Sequence, residues 1–374
     1  MTLLRKFAAA GIAMLAAIPA LAQDSHSLDL TVNGSGISIG DSREVKGLRL
    51  NFRDRELRRV DGINATIWMP YEHPRGVIEG VALGLPLTGA RRIDGLAAGI
   101  FGVGADETIR GIAVGGIGMG AGDDIVGLAI GGIGMGVGRD LRGIAVGGIG
   151  AGAGRDVEGL AIGGIGLGVG QDLHGIAIGG IGAGIGMDMT GAAIGGIGIG
   201  VGGSAKGLLI GGIGAGVGGD MEGISIGGIG VGTGGNMSGL SITGVGMGAG
   251  GNATGVQLAG IGIGVGGTAK WVTVAGVGVG ASRIEGFAAA AAVGTERMQG
   301  VVLAPAYFRI TDGGSMRGLS VSAYNDIRGM QRGVTIGLYN RARILDGLQI
   351  GLLNYAGNKS HAKLLPLVNY ARDR

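Results

Sequence analysis

Residues 111–126 read GIAVGGIGMGAGDDIV, residues 127–142 GLAIGGIGMGVGRDLR, residues 143–158 GIAVGGIGAGAGRDVE and residues 159–174 GLAIGGIGLGVGQDLH. The four segments superpose without a gap. The phase continues through lead glycines at Gly175, Gly191, Gly207, Gly223, Gly239 and Gly255, and Trp271 takes the next lead position. A fixed short period of this kind marks a stacked repeat, in which each unit buries its apolar side only against its neighbours. Looser copies extend both ways, each an apolar residue, a polar one and the lead glycine: Val60-Asp61-Gly62, Ile78-Glu79-Gly80, Ile93-Asp94-Gly95, Ile284-Glu285-Gly286 and Leu345-Asp346-Gly347. About twenty units of 14–18 residues therefore run from Gly47 to the C-terminus, without an interrupting domain boundary. The regular units cover 111–270, and divergent capping units cover 47–110 and 271–374.

Within a unit the apolar residues alternate, as in Leu128 and Ile130, then Ile133, Met135 and Val137. Period two with β-branched residues predicts strands. The phase breaks at Gly131-Gly132 and again at Gly138-Arg139-Asp140, which predicts two short strands and two turns per unit, with glycine supplying positive-φ corners. Five or six buried aliphatics contribute about 1.5–3 kcal/mol each. Ordering sixteen residues costs about 1–2 kcal/mol apiece, so the two totals are of similar size and one unit cannot stand alone.

The expected fold is all-β, a tandem-repeat β-solenoid in which each unit is one coil, the alternating aliphatics fill the interior and Gly and Ala face outward. Twenty rungs would make a rod on the order of 95 Å long. A second arrangement makes Gly131-Gly132 a hairpin turn and the units a closed or radial antiparallel hairpin array. A third is a transmembrane β-barrel with one strand per unit, although the turns are alike in consecutive units and aromatics are only 3% of the chain, against the unequal turns and aromatic girdles of such barrels. Strand register stays open at this level.

Composition excludes several classes. The chain has 92 glycines among 374 residues without the collagen period, and its 46% apolar content is too high for a disordered linker. With no cysteine there are no disulfides, thiolate metal sites or thiol nucleophiles. A net charge of +3, spread along the chain without a Lys/Arg patch, argues against nucleic acid. The many G-x-G-x-x-G matches are a product of repetition, because none has the strand, helix and acidic residue of a dinucleotide site. His26, His73, His174 and His361 show no metal-ligand spacing. Equivalent residues every 16 positions are a poor basis for one asymmetric active site, so no enzyme and no cofactor are expected.

Residues 1–22 read as a secretory signal, with Arg5 and Lys6, an apolar run from Phe7 to Ile18, and Ala20-Leu21-Ala22 before Gln23. Residues 23–46 are then a leader or N-terminal cap, and 47–374 a single repeat domain.

Three side-chain columns are candidate sites. Asp124, Asp140, Asp156, Asp172, Asp188 and Asp220 share one position, continued by Asn236 and Asn252. Stacked carboxylates could bridge calcium between rungs, although the spacing is not that of the nine-residue calcium repeat; Asp and Asn also shape turns through their own backbone bonds, with Arg139 and Arg155 offsetting charge. Tyr324, Tyr339, Tyr355 and Tyr370 recur near the C-terminus, as a cap over the last rungs or as a binding strip for glycan or envelope polymer. Asn325, Asn340 and Asn354 take the eighth position of their units, where central copies have Gly118, Gly134 and Gly150. A structural corner with φ > 0 explains both choices.

GLSVSAYN at Gly318, GVTIGLYN at Gly333 and GLQIGLLNYA at Gly347, together with GLRLNF at Gly47, resemble bacterial surface-repeat proteins whose units read G-L-x-I-G-L-x-N. The resemblance covers the two ends; the central Gly-Gly-Ile-Gly units depart from it. It implies an exported protein of the periplasm, outer membrane or cell surface. The expected function is a non-enzymatic structural or interaction protein, a rigid scaffold or adhesin-like element with an unidentified envelope partner or self-association; the alternative is an outer-membrane barrel or pore.

Overall fold

The computed structural model describes residues 27–68, 70 and 75–372; the expected signal segment, His26 and His73 lie outside them. The chain is a parallel β-solenoid. In the regular region each coil has a long strand and a short one: Ile125–Gly131 and Gly134–Val137, then Leu141–Gly147 and Gly150–Ala153. Long strand pairs with long and short with short, parallel and sixteen residues apart, so that Gly127 lies beside Gly143 and Gly134 beside Gly150. Lead positions form one ladder from Gly36 through Gly47, Gly62, Gly80, Gly95 and the regular glycines to Trp271, Gly286 and Gly300. Gly318, Gly333 and Gly347 continue it, each against the backbone of the lead glycine before it. Parallel pairing between successive units replaces both the hairpin array and the membrane barrel.

Antiparallel strands close the two ends. Ser27–Val32 folds back on Ser35–Gly40, which carries the first lead glycine inside the expected leader. Leu364–Ala371 returns antiparallel along the last coil. Such caps cover the unpaired backbone that a parallel stack exposes at each end.

Inward positions correct the expected filling. The interior takes the residue two before the lead glycine (Ile125, Leu141, Val157, Leu173, Met189), the one two after it (Ala129, Ala145, Ala161, Ala177, Ala193), and two from the short strand (Met135 and Val137 in one coil, Leu167 and Val169 two coils later). Met135 and Val137 therefore point in as expected. Leu128, Ile130 and Ile133 point out, and Ala129, expected outside, lies inside with no exposed surface. Bulk differs between coils: one buries Ile125, Ala129, Met135 and Val137, the next Leu141, Ala145, Ala151 and Ala153. Where the Gly207 coil places Leu209 in the alanine column, the surrounding interior positions shrink to Ala205 and Ala215.

Positive φ also falls elsewhere than expected. It belongs to the lead glycines within the long strand, as in Gly127 at 126° and Gly175 at 142°. A Cβ on Gly175 would lie within van der Waals contact of the Gly159 carbonyl oxygen. Gly132, without positive φ, keeps its glycine for the steric reason alone: a Cβ there would run into the Gly116 carbonyl oxygen of the coil before. Trp271 is the exception in the lead column, holding φ at 85° with a bulky, exposed side chain. That region of backbone space strains any residue with a Cβ.

Candidate functional site

The long strand's outer side is the most unusual surface of the molecule. Residues one and three after each lead position are aliphatic (Ile144 and Val146, Ile176 and Ile178, Ile224 and Ile226), and those of the first position are exposed by 43–44% in these coils. At the corner that follows, Ile117, Ile133, Ile149, Ile165, Ile181, Ile197, Ile213 and Ile229 form a third column, each about half exposed. Parallel pairing in strict register sets these side chains directly above one another at about 4.8 Å per rung. Isolated surface aliphatics are ordinary, but a contiguous apolar band is not. Toward the N-terminus the band deepens into an open groove of about 690 Å³, lined by Ile39, Leu50, Phe52, Ile67 and Leu85, with Arg53 beside it over the Trp68 ring at 5.8 Å.

The acidic column forms a turn ladder. The backbone N–H of Asp140 donates to Asp124 Oδ1 at 3.3 Å, that of Asp172 to Asp156 at 3.1 Å and that of Asp188 to Asp172 at 2.9 Å. Ser204, between Asp188 and Asp220, keeps the pattern, receiving a bond from the Asp220 N–H at 3.2 Å. Asn236 and Asn252 extend it, and their side-chain amides also donate to the oxygen of the coil before, at 3.1 Å each. Arg155 bonds both oxygens of Asp140, at 3.2 and 3.1 Å, and Arg139 sits 3.5 Å from Asp124. Apart from Asp140, whose oxygens Arg155 holds, each ladder oxygen accepts a backbone amide of the next coil, so the column ties coil to coil instead of closing a turn through its own backbone. Among the described residues no group of three or more His, Asp or Glu is placed to hold a metal ion.

The C-terminal columns part company with the sequence reading. Asn325, Asn340 and Asn354 are fully buried, and none has positive φ, which corrects their assignment as left-handed corners. They form an amide ladder instead: Asn325 Nδ2 donates to Asn340 Oδ1 and Asn340 Nδ2 to Asn354 Oδ1, each at 2.7 Å. Asn369 closes the ladder on the Asn354 carbonyl at 3.0 Å. An amide carries donor and acceptor together, so identical side chains satisfy one another along a stack. Tyr324 and Tyr339 do stack, with ring centroids 5.2 Å apart, but the neighbour on the other side is Tyr307 at 5.3 Å. Tyr355 pairs in register with Leu364, and Tyr370, on the returning strand, with Leu348.

Two buried charge clusters escaped the sequence reading. Arg49 is completely buried in the column that holds alanine in regular coils, bound to Asp54, to Asn64 and Asp41 at 2.9 Å each, and to the Ser42 carbonyl at 3.0 Å. A fully paired guanidinium is tolerated inside, where a lone one is not. The signal was an arginine two residues after a lead glycine. At the other end Asp326 is buried beside Arg328 at 2.9 Å and Arg341 at 3.7 Å, and it accepts the Tyr307 hydroxyl at 3.1 Å. Burial, then the Asp326 charge, pushes the Tyr307 hydroxyl above its ordinary pKa, and the hydrogen bond and charge of Asp326 raise Arg328.

No protein-family model, curated protein or solved structure matches this chain.

Proposed function

We propose that this chain is a non-enzymatic structural or interaction protein of the bacterial envelope, a rigid rod whose aliphatic side is its working surface. The observation that carries the reading is the band of outward Leu, Ile and Val columns running the length of the regular coils. An exposed apolar surface beyond a few hundred Å² marks a place of association. Every coil offers nearly the same atoms at the same pitch, which suits an extended or repetitive partner. The apolar segment of residues 1–22 and the likeness of the C-terminal coils to G-L-x-I-G-L-x-N surface repeats support export.

The test is fractionation of cells carrying the gene with a C-terminal epitope tag. The expected result is a chain that begins at Gln23, found with the envelope. A chain that keeps its first 22 residues and stays in the cytosol overturns the reading.

A further inference from the structure

One edge of the aliphatic face carries a charged column, the residue just before each lead position. Over the ten coils with lead positions from Gly143 to Gly286 it contains Arg142, Glu158, Lys206, Glu222, Lys270 and Glu285, all in direct register, and beyond them it continues as Val126 and Arg110 at one end and Gln299 and Arg317 at the other. Neutral Thr190 and Ser238, with His174 and Thr254, fill the remaining places. The order is plus, minus, two without formal charge, plus, minus, two without, plus, minus. Reversed, it is the same series with every sign inverted, about a midpoint between Lys206 and Glu222.

We propose that a second copy of this chain packs on the aliphatic face, antiparallel, about a twofold axis crossing the rod between Lys206 and Glu222. This partner rests on the reading of the face as a working surface and names its occupant. Such an axis lies in the plane of the face, lays rim over rim and sets Arg142 opposite the second copy's Glu285, Glu158 opposite its Lys270, and Lys206 opposite its Glu222. Every charged position from Arg142 to Glu285 then meets its opposite. Within one chain these residues already pair along the column, Arg142 with Glu158 at 3.5 Å and Lys206 with Glu222 at 3.3 Å. Pairing across the axis makes each pair part of a four-charge cluster.

The area is sufficient. Ten coils at about 4.8 Å and six strand residues at about 3.3 Å give a footprint of roughly 950 Å² per copy, against about 800 Å² in a standard stable interface. Adhesion comes from the aliphatic columns; the exposed charges, weak individually, fix register and exclude the parallel alternative. A membrane surface would favour a rim rich in Lys and Arg, and this rim carries as many acids as bases.

The chain has no cysteine, so a disulfide can report the register directly. Thr190 and Ser238 lie three coils apart in one chain, about 14 Å, beyond disulfide reach; across the axis they face each other. Sedimentation of the purified wild-type protein is expected to show a dimer dissociating at micromolar concentration. Lys206→Glu should raise the dissociation constant by about tenfold or more, and Lys206→Glu/Glu222→Lys should return it to within about threefold of wild type. Thr190→Cys/Ser238→Cys should oxidise to a covalent dimer, which neither single variant forms at a comparable rate. A wild-type monomer at concentrations on the order of 100 μM, no rescue by the charge swap, equal cross-linking by Thr190→Cys alone, or a monomer that floats with anionic lipid vesicles each overturns the proposal. A monomer that fractionates with the envelope removes the dimer and leaves the scaffold; a cytosolic dimer does the reverse.

Discussion

The two outward sides of one coil are built differently. On the long strand, Ile176 and Ile178 stand exposed or half-buried beyond a buried Ala177. On the short strand, Gly168, Gly184, Gly200, Gly216 and Gly232 face outward bare, and a Cβ at any of them would meet nothing within 4 Å. Packing explains neither choice. A glycine in a strand costs roughly 0.5–1 kcal/mol relative to alanine, and an exposed isoleucine contributes little to the fold of its own chain. The lead glycines of the long strand, by contrast, are sterically fixed. Glycine thus has two meanings in one repeat: in the lead column the backbone of the neighbouring coil demands it, and on the short strand the surface alone keeps it.

Four variants would break or sharpen that contrast. Gly175→Ala puts a Cβ against the Gly159 carbonyl at φ 142°, and should lower unfolding free energy by about 3 kcal/mol or more in a denaturant titration. If it proves neutral, the lead column is not sterically fixed. Trp271→Gly acts in the opposite sense in the same column. Relief of its positive φ should raise stability by about 1–2 kcal/mol, read as an upward shift of the denaturation midpoint. Replacing the exposed corner residues Ile149, Ile165 and Ile181 together by Ser should move stability by no more than about 1 kcal/mol while markedly reducing binding of an apolar dye; a large loss would mean that these side chains are core. Gly184→Ala, on the bare short strand, should change stability by about 0.5 kcal/mol or less, toward the more stable side.

The sequence made legible the sixteen-residue period and two strands per coil, because both follow from recurrence and from glycine chemistry; it put the Asp column at a turn but not its bonds to the next coil. Which side of the long strand faces inward was not legible. Both of its alternating sets are apolar, Ile125 with Ala129 on one side and Leu128 with Ile130 on the other, and a rule that places apolar residues inside cannot choose between them. The structure places the smaller alanine inside because the residue two before the lead glycine already supplies the bulk. Asn325, Asn340 and Asn354 were ambiguous for a related reason: an asparagine suits a left-handed corner and a buried amide ladder equally well, and only burial with its 2.7 Å partners separates the two. Tyr307 fell outside the spacing of the later tyrosines, and Arg49 and Asp326 gave no recurrence to follow, so their buried pairings emerged only when the coils were stacked.

Successive coils lie parallel and in register along the whole regular region. Gly168 and Gly232 face open space on the short strand, four coils apart, through the partners Gly184, Gly200 and Gly216. Spin labels on Gly168→Cys/Gly232→Cys in the cysteine-free chain should give a narrow distance distribution centred at about 19 Å, four rungs of about 4.8 Å, although 64 residues separate them in sequence. A broad distribution, or a centre beyond about twice that distance, would contradict the parallel stack.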